Sequence, residues 1–168
     1  MSLYQKSINT KAGNMIAIAD ETHLLLLHFI NKSDIEKERS YLIRTTNQDI
    51  LDESNNVLNQ LEQELNLYFE GKLDKFTVPI KFNFGTPFQQ KVWQALCDIP
   101  YGETISYKQL AENIGQPTAF RAVANANGKN HLTILVPCHR VIAADGGLGG
   151  YSSGIERKEL ILNIEKNI

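Results

Sequence analysis

The chain has 168 residues, 42% hydrophobic and 21% charged, with a formal net charge of −2; this is the make-up of an ordinary globular protein with room for one domain or two small ones. Its longest apolar run, "HLLLLHFI", is far shorter than the roughly 20 residues of a membrane helix, and "MSLYQKSINT" lacks the charged-then-apolar order of a signal peptide. Two cysteines far apart, Cys97 and Cys138, make no disulfide framework, so the expectation is a reduced, cytoplasmic protein with no membrane partner.

The first half reads as strands and then a helix. "MIAIAD" and "HLLLLHFI" flank the polar "DETH" as a hairpin. "YLIRTT" reads as a further strand. From Asp49 to Phe69, the apolar positions Ile50, Leu51, Val57, Leu58, Leu61, Leu65 and Tyr68 recur at helical spacing, and Gly71 ends the run. "KFTVPIKF" reads as a closing strand at a sheet edge, because Pro79 cannot donate to a ladder. His23 and His28 flank an apolar strand with no cysteine nearby, so no metal is expected there.

The character changes at "FNFGTPF". Thr86 and Pro87 are an N-cap and first helical residue, followed by Val92, Trp93, Leu96 and Cys97 on one stripe, which makes Cys97 a small core residue. "SYKQLAENIG" has Ser106 and Gln109 at capping-box spacing and Gly115 as its stop. "TAFRAVANANG" is a second short helix, with Thr118 as cap and Gly128 as terminator. Helix, glycine turn, helix is the helix-turn-helix outline, which many bundles share. Alanines at 119, 122, 124 and 126 make the second helix slim, with Arg121 standing out; it is either a surface charge or a side chain that inserts into a partner. Charge permits a nucleic-acid partner without pointing to one: residues 1–82 carry −3 and residues 83–168 carry +1, so phosphate contacts would be few and local.

"ILVPCHRVI" is apolar and β-branched, which predicts extended chain with Cys138 and His139 on opposite sides. A histidine serving the thiol would then need a bend or a connecting water; by accepting the thiol proton it generates the nucleophilic thiolate. For a bare Cys-His pair, a buried cysteine beside a solvent-facing histidine is the commoner arrangement. Two features weigh against it. "DGGLGGYSSG" brings backbone N–H groups close to a ligand, without the Gly-Lys-Ser/Thr of a phosphate loop. The last helix, "IERKELILNIEK", carries Glu165 one turn after Ile161, at the edge of a buried face where it could orient a histidine.

"GTPFQQKVWQALCDIPYGETISYKQLA", "RAVANANGKN" and "ILVPCHRVI", followed by "GGYSSGIERKELIL", closely resemble the O6-alkylguanine-DNA alkyltransferases, the methylated-DNA–protein-cysteine methyltransferases. The match runs in order over residues 84–166; the first 82 residues match in general layout only. The resemblance implies a small α/β N-terminal domain, residues 1–82, of sheet plus helix. A mostly α C-terminal domain follows, residues 83–168, with a winged helix-turn-helix-like DNA-binding motif. It implies an irreversible, single-turnover transfer of a methyl or other alkyl group from guanine O6, and from thymine O4, in double-stranded DNA to Cys138, after the nucleotide is flipped out.

By the same resemblance, Cys138 is the alkyl acceptor, His139 its base through a water, and Glu165 completes the relay. Asn130 ties the recognition helix to the active-site strand. Tyr107 contacts the target nucleotide, Arg121 fills the vacated stack, and Tyr151 and Ser152 border O6. The backbone carbonyls of Cys138 and Val141 read the guanine amino group, while Thr118, Ala122, Lys108 and Lys129 meet DNA. No cofactor, metal or protein partner is implied, and a monomer is expected. Members with zinc use cysteines and histidines of the N-terminal domain, and no cysteine precedes Cys97 here, so that metal is not expected; the cysteine-rich sensor domain of some members is likewise not expected. Gly128 replaces a basic residue late in the recognition helix, with Lys129 alongside. Two rivals remain. A Cys-His hydrolase would turn over many times, and a non-catalytic lesion binder would carry tryptophan in place of Cys138.

Overall fold

The computed structural model describes residues 1–30 and 35–166. The chain forms two compact units, Met1–Asn83 and Phe84–Ile168. Among the described residues no helix is long and apolar enough to cross a membrane.

The first unit is a mixed four-stranded sheet with two helices. β1 (Leu3–Thr10), β2 (Gly13–Ala19) and β3 (Leu24–Phe29) form an antiparallel meander, and β4 (Ile50–Leu51) adds in parallel to β1, giving the order β3-β2-β1-β4. The expected hairpin is β2–β3. Its loop is closed by the Asp20 carboxylate, which accepts from the backbone N–H groups of Thr22 (2.8 Å) and His23 (2.7 Å). β1 has no apolar alternation to announce it; only Leu3 and Ile8 are buried, and its order comes from pairing on both edges.

Three expectations change here. "YLIRTT" is not a strand but the end of α1 (Ile35–Thr46), where Glu38 and Leu42 are buried one turn apart. The threonines that suggested a strand donate back to the carbonyls of Tyr41 (2.8 Å) and Leu42 (2.6 Å), a bond that lets a helix hold them. The long helix begins at Asn56, not Asp49: α2 (Asn56–Phe69) is capped by Asn55, whose side chain accepts from Leu58 N at 3.0 Å, and Ile50–Leu51 pairs with β1 instead. "KFTVPIKF" makes a single parallel bridge, Leu24 to Ile80, beside β3 rather than a full strand. α2 packs its buried stripe, Val57, Leu58, Leu61, Leu65 and Tyr68, against β1 and β2. His28 is buried in β3, its Nε2 2.8 Å from Glu38 Oε2.

The second unit is mostly helical: α3 (Pro87–Leu96), β5 (Ile105–Ser106), α4 (Tyr107–Asn113), α5 (Phe120–Gly128), a 3-10 turn (Cys138–Arg140), β6 (Val141–Ile142) and α6 (Ile155–Lys166). Thr86 and Gln89 form a complete capping box before α3. Ser106 caps α4 from one side only; Gln109 turns its amide to Asn113. Helices α3, α4 and α5 pack together around Val92, Trp93, Leu96, Leu110, Ala111 and Val123. Trp93 Nε1 donates to the Ala126 carbonyl at 2.8 Å and so fixes α5 to α3. Two short parallel strands, β5 and β6, tie the start of α4 to the chain after Cys138. Cys97 is the exposed C-cap of α3, one residue past Leu96, the last buried position of the stripe, and not a core residue. Its sulfur is nonetheless desolvated, which with Asp98 pushes the thiol up to about 11.

Candidate active site

Cys138 is the first residue of the 3-10 turn and is almost fully buried. The expected extended chain is absent for a physical reason. Pro137 has no N–H to give a ladder, and Asn130 supplies the bonds that a neighbouring strand would. Its Oδ1 accepts from Leu132 N at 2.9 Å, while its Nδ2 donates to Val136 O at 2.8 Å and to Cys138 Sγ at 3.3 Å. Between them the chain doubles back through Ile134, held at φ 76°, a costly conformation for a β-branched residue. The turn resolves the geometry of the Cys-His pair by bending the chain.

His139 is fully buried and its Nε2 lies 2.7 Å from Glu165 Oε2. A carboxylate only accepts, so Nε2 carries the hydrogen and the lone pair of the neutral ring sits on Nδ1. Nδ1 is buried without a hydrogen-bond partner. Burial holds His139 below the usual imidazole range despite the raising influence of Glu165, with Arg140 and Lys158 adding to the depression. Glu165, on α6, is clamped by Arg140: Nε donates to Oε1 at 2.9 Å and Nη2 to Oε2 at 3.0 Å, while Nη1 holds the Ile99 carbonyl at 2.7 Å. Such a fork fixes the carboxylate plane as a single point charge could not.

A cavity of about 480 Å³ opens over Cys138, walled by Tyr107 from α4, Asn127 and Gly128 from α5, and Gly150, Tyr151 and Ser152. Tyr107 is half-buried, and burial raises its phenol above the ordinary value. Its Oη reaches the Gly150 carbonyl at 3.5 Å. Gly149, at φ 70°, lies so close that a Cβ would sit 3.1 Å from the Tyr107 ring and 3.2 Å from its Oη, so only glycine lets this segment close against the tyrosine. Tyr151 Oη is buried without a partner, and burial first, then the charge of Cys138, raise its phenol strongly. Ser152 is exposed at the rim.

Arg121, Ala122 and Lys129 are exposed on α5 or at its C-cap, opposite the buried Val123, Ala126 and Asn127. Lys108 is exposed on α4. Thr118 is exposed in the turn before α5 but does not cap it: the N-cap is Ala119, with no side-chain bond, because the helix starts one residue later than expected. Val141 is buried, and its carbonyl accepts from Lys158 Nζ at 2.6 Å.

Three residues of the site escaped the sequence reading. Arg140 was visible only as part of "PCHR". Lys158 is fully buried on α6, bonded also to the Gly150 carbonyl at 3.1 Å, and burial lowers it to about 8. The spacing 158, 161, 162, 165 is the inner stripe on which Glu165 lies, so the same periodicity held the signal. Asn127 donates to the Cys138 carbonyl at 3.3 Å; it is the polar member of the buried face of α5.

The profile of the 6-O-methylguanine DNA methyltransferase ribonuclease-like domain matches residues 3–82, and that of the DNA binding domain of the same proteins matches residues 87–167. A methylated-DNA–protein-cysteine methyltransferase of Methanosarcina barkeri is 39% identical over 166 residues, 98% of each chain. The crystal structure of the O6-methylguanine methyltransferase of Mycobacterium tuberculosis is 38% identical, with a TM-score of 0.83, over 98% of this chain and 93% of that one. A structure of that organism's OGT in complex with DNA has a TM-score of 0.84 at the same identity and coverage. With both units matched in order, this chain belongs to the O6-methylguanine DNA methyltransferase family.

Proposed function

We propose that this protein repairs O6-methylguanine in DNA by transferring the methyl group to Cys138. The observation that carries the reading is a buried cysteine sulfur, held by Asn130, at the floor of a cavity and beside a His139–Glu165–Arg140 chain. The Cys138 proton passes through a water to the free lone pair of His139 Nδ1. The thiolate attacks the methyl carbon in line; the S–C bond forms as the C–O6 bond breaks. The electron pair leaves on the purine, which regains a proton at N1 as guanine. A thiolate suits attack on saturated carbon, and the leaving group is eased by donors at its edge: the Tyr107 phenol, kept protonated by burial, and the Ser152 segment. The product is a thioether that water does not cleave, so each molecule acts once. Other O6-alkyl groups and O4-alkylthymine are substrates of the same displacement.

O6 inside a duplex is out of reach, so the nucleotide is extruded at a cost of a few kcal/mol. The slim exposed face of α5 enters the minor groove and Arg121 fills the gap, with Thr118, Ala122, Lys108 and Lys129 along the backbone. The protein works as a cytoplasmic monomer without cofactor. A duplex bearing one O6-methylguanine, mixed in excess with the protein, gives an intact-mass gain of one CH2 at Cys138 and one product per protein molecule. Turnover beyond one product per molecule would return the reading to a Cys-His hydrolase.

A further inference from the structure

The Arg140 clamp on Glu165 is itself held from outside, by the turn that follows α3. Residues 99–103 read "IPYGE". The Glu103 N–H closes the turn by donating to the Pro100 carbonyl at 3.1 Å, with Gly102 at φ 78°, a backbone state that favours glycine. Folding back in this way sets three residues of the turn against the clamp. The Ile99 carbonyl accepts from Arg140 Nη1 at 2.7 Å. Gly102 lies on α6, where a Cβ would be 3.5 Å from the Glu165 carbonyl oxygen. Between these two, the Tyr101 ring lies under the guanidinium, its centroid 5.6 Å from Arg140 Cζ. The Tyr101 Oη makes a long bond, 3.4 Å, to the Ile164 carbonyl of α6. A guanidinium carries its donors on its edge and none on its faces. The edge of Arg140 is bound to Glu165 and Ile99, and the aromatic ring is what meets its face.

Resting on the repair reading, we propose that Tyr101 is a positioning residue of the transfer reaction: its ring sets the plane of the Arg140 guanidinium, and through it the Glu165 carboxylate that orients His139. The contacts run in that order, from the Tyr101 ring to Arg140, to Glu165 and to His139. Two parallel bonds make a guanidinium and a carboxylate share one plane. Glu165 Oε2 accepts from Arg140 Nη2 at 3.0 Å and from His139 Nε2 at 2.7 Å, so a tilt of the guanidinium reaches the imidazole through a single shared oxygen. Edge bonds alone leave that tilt soft; a ring against the face opposes it. Tyr101 is half-buried while Arg140 and Glu165 are buried, so the ring also keeps water from the pair, where a low dielectric strengthens its bonds. Tyr101 touches no reacting atom, and its effect is on the geometry of the base.

The test measures the single-turnover transfer rate per folded molecule, on a saturating O6-methylguanine duplex and on the free modified base, together with the dissociation constant of the duplex. Tyr101→Leu removes the ring and is expected to slow transfer by roughly tenfold, less than the hundredfold that about 1 Å of misplacement costs a reaction. The loss is expected to be equal on duplex and free base, with the dissociation constant unchanged, because the fault lies in the chemical step. Tyr101→Phe keeps the ring, gives up only the long bond to Ile164, and is expected to restore the parent rate. Tyr101→Met, which keeps more of the bulk without an aromatic face, gives the same loss should the leucine variant fold poorly. A parent-like rate per folded molecule in both the leucine and methionine variants overturns the proposal and leaves Tyr101 a packing residue. A loss confined to the duplex also overturns it, and so does a phenylalanine variant as slow as the leucine one; both leave repair intact. Absence of transfer by the unsubstituted protein overturns the repair reading and this proposal with it.

Discussion

Glu64 in the first unit and Glu165 in the second are both buried, and the two are surrounded differently. Glu64 on α2 is saturated: Oε1 accepts from Thr77 N (2.7 Å) and Val78 N (3.3 Å), and Oε2 from Gln60 Nε2 (3.0 Å) and the Thr77 hydroxyl. Its effect is to staple residues 77 and 78 to the helix. Glu165 on α6 is as well bonded, yet it holds His139, whose Nδ1 is buried without a partner, as are Asn127 Oδ1 and Tyr151 Oη in the same unit. A folded chain rarely leaves such atoms unsatisfied. A staple completes its bonds within the fold, whereas a site keeps some open for what arrives. Removing one group from each cluster shows whether the distinction holds.

The largest effect falls on the sulfur. Cys138→Ser is expected to abolish transfer while leaving binding to the lesion, since a hydroxyl is far less acidic than a thiol. Cys97→Ser is expected to keep full transfer, because that thiol sits outside the cavity and is held up to about 11. Intact-mass labelling of both variants reads this directly, and transfer lost in the second with survival in the first would reverse the roles.

Next is the carboxylate of the site. Glu165→Gln removes the charge that orients His139 and opposes its depression by burial. Transfer is expected to slow by about 100-fold or more, the usual worth of a positioned base. The rate-against-pH curve is expected to move to higher pH, because more of the deprotonation is then left to solvent hydroxide. Arg140 also loses its partner, so stability falls by about 3–5 kcal/mol, the cost of a broken buried pair; rates are therefore compared on the folded fraction. A slower but unshifted curve would make Glu165 a staple like Glu64.

Arg121 should matter only where a base has to be extruded. Arg121→Ala is expected to slow repair of duplex DNA strongly and transfer from the free modified base hardly at all. An arginine that only met phosphate would weaken binding to all DNA and lower the salt slope by about one. Rates on duplex and free base at two salt concentrations separate the cases, and equal losses on both substrates would make Arg121 a residue of the fold.

How much of this was legible in the sequence follows the same contrast. The hairpin β2–β3, the cap of α3 and the inner stripe of α6 are periodic or carry local capping chemistry, and they read correctly. β1 did not, because its order comes from partners distant in sequence. "ILVPCHRVI" read as a strand because its β-branched side chains favour one. The turn it adopts is dictated by Asn130, several residues upstream, through bonds to Leu132 and Val136 that no propensity reports. The chemistry of Cys138 and His139 was named from resemblance. The clamp of Arg140 and the open Oδ1 of Asn127 appear only when every buried donor and acceptor is assigned.

The smallest effect on repair, and a plain one on stability, belongs to Glu64. Burial alone would raise its carboxyl, but the bonds from Thr77, Gln60 and Val78 outweigh it and hold the group below the ordinary value. The folded protein therefore binds this proton less readily than the unfolded chain. That stabilisation is present above the unfolded carboxyl range, near 4.3 for a free glutamate. It is lost as pH falls through the lower folded value. Glu64→Gln keeps the shape and the acceptor oxygen but removes the charge from four hydrogen bonds, and it turns an N–H toward at least one existing donor. A loss of about 1–3 kcal/mol at neutral pH is expected, read by denaturant unfolding. The acid limb of stability against pH should become shallower by about one proton, while transfer per folded molecule stays unchanged. A variant as stable as its parent at neutral pH, with the same acid limb, would mean that the four bonds are no stronger than those the unfolded chain makes with water.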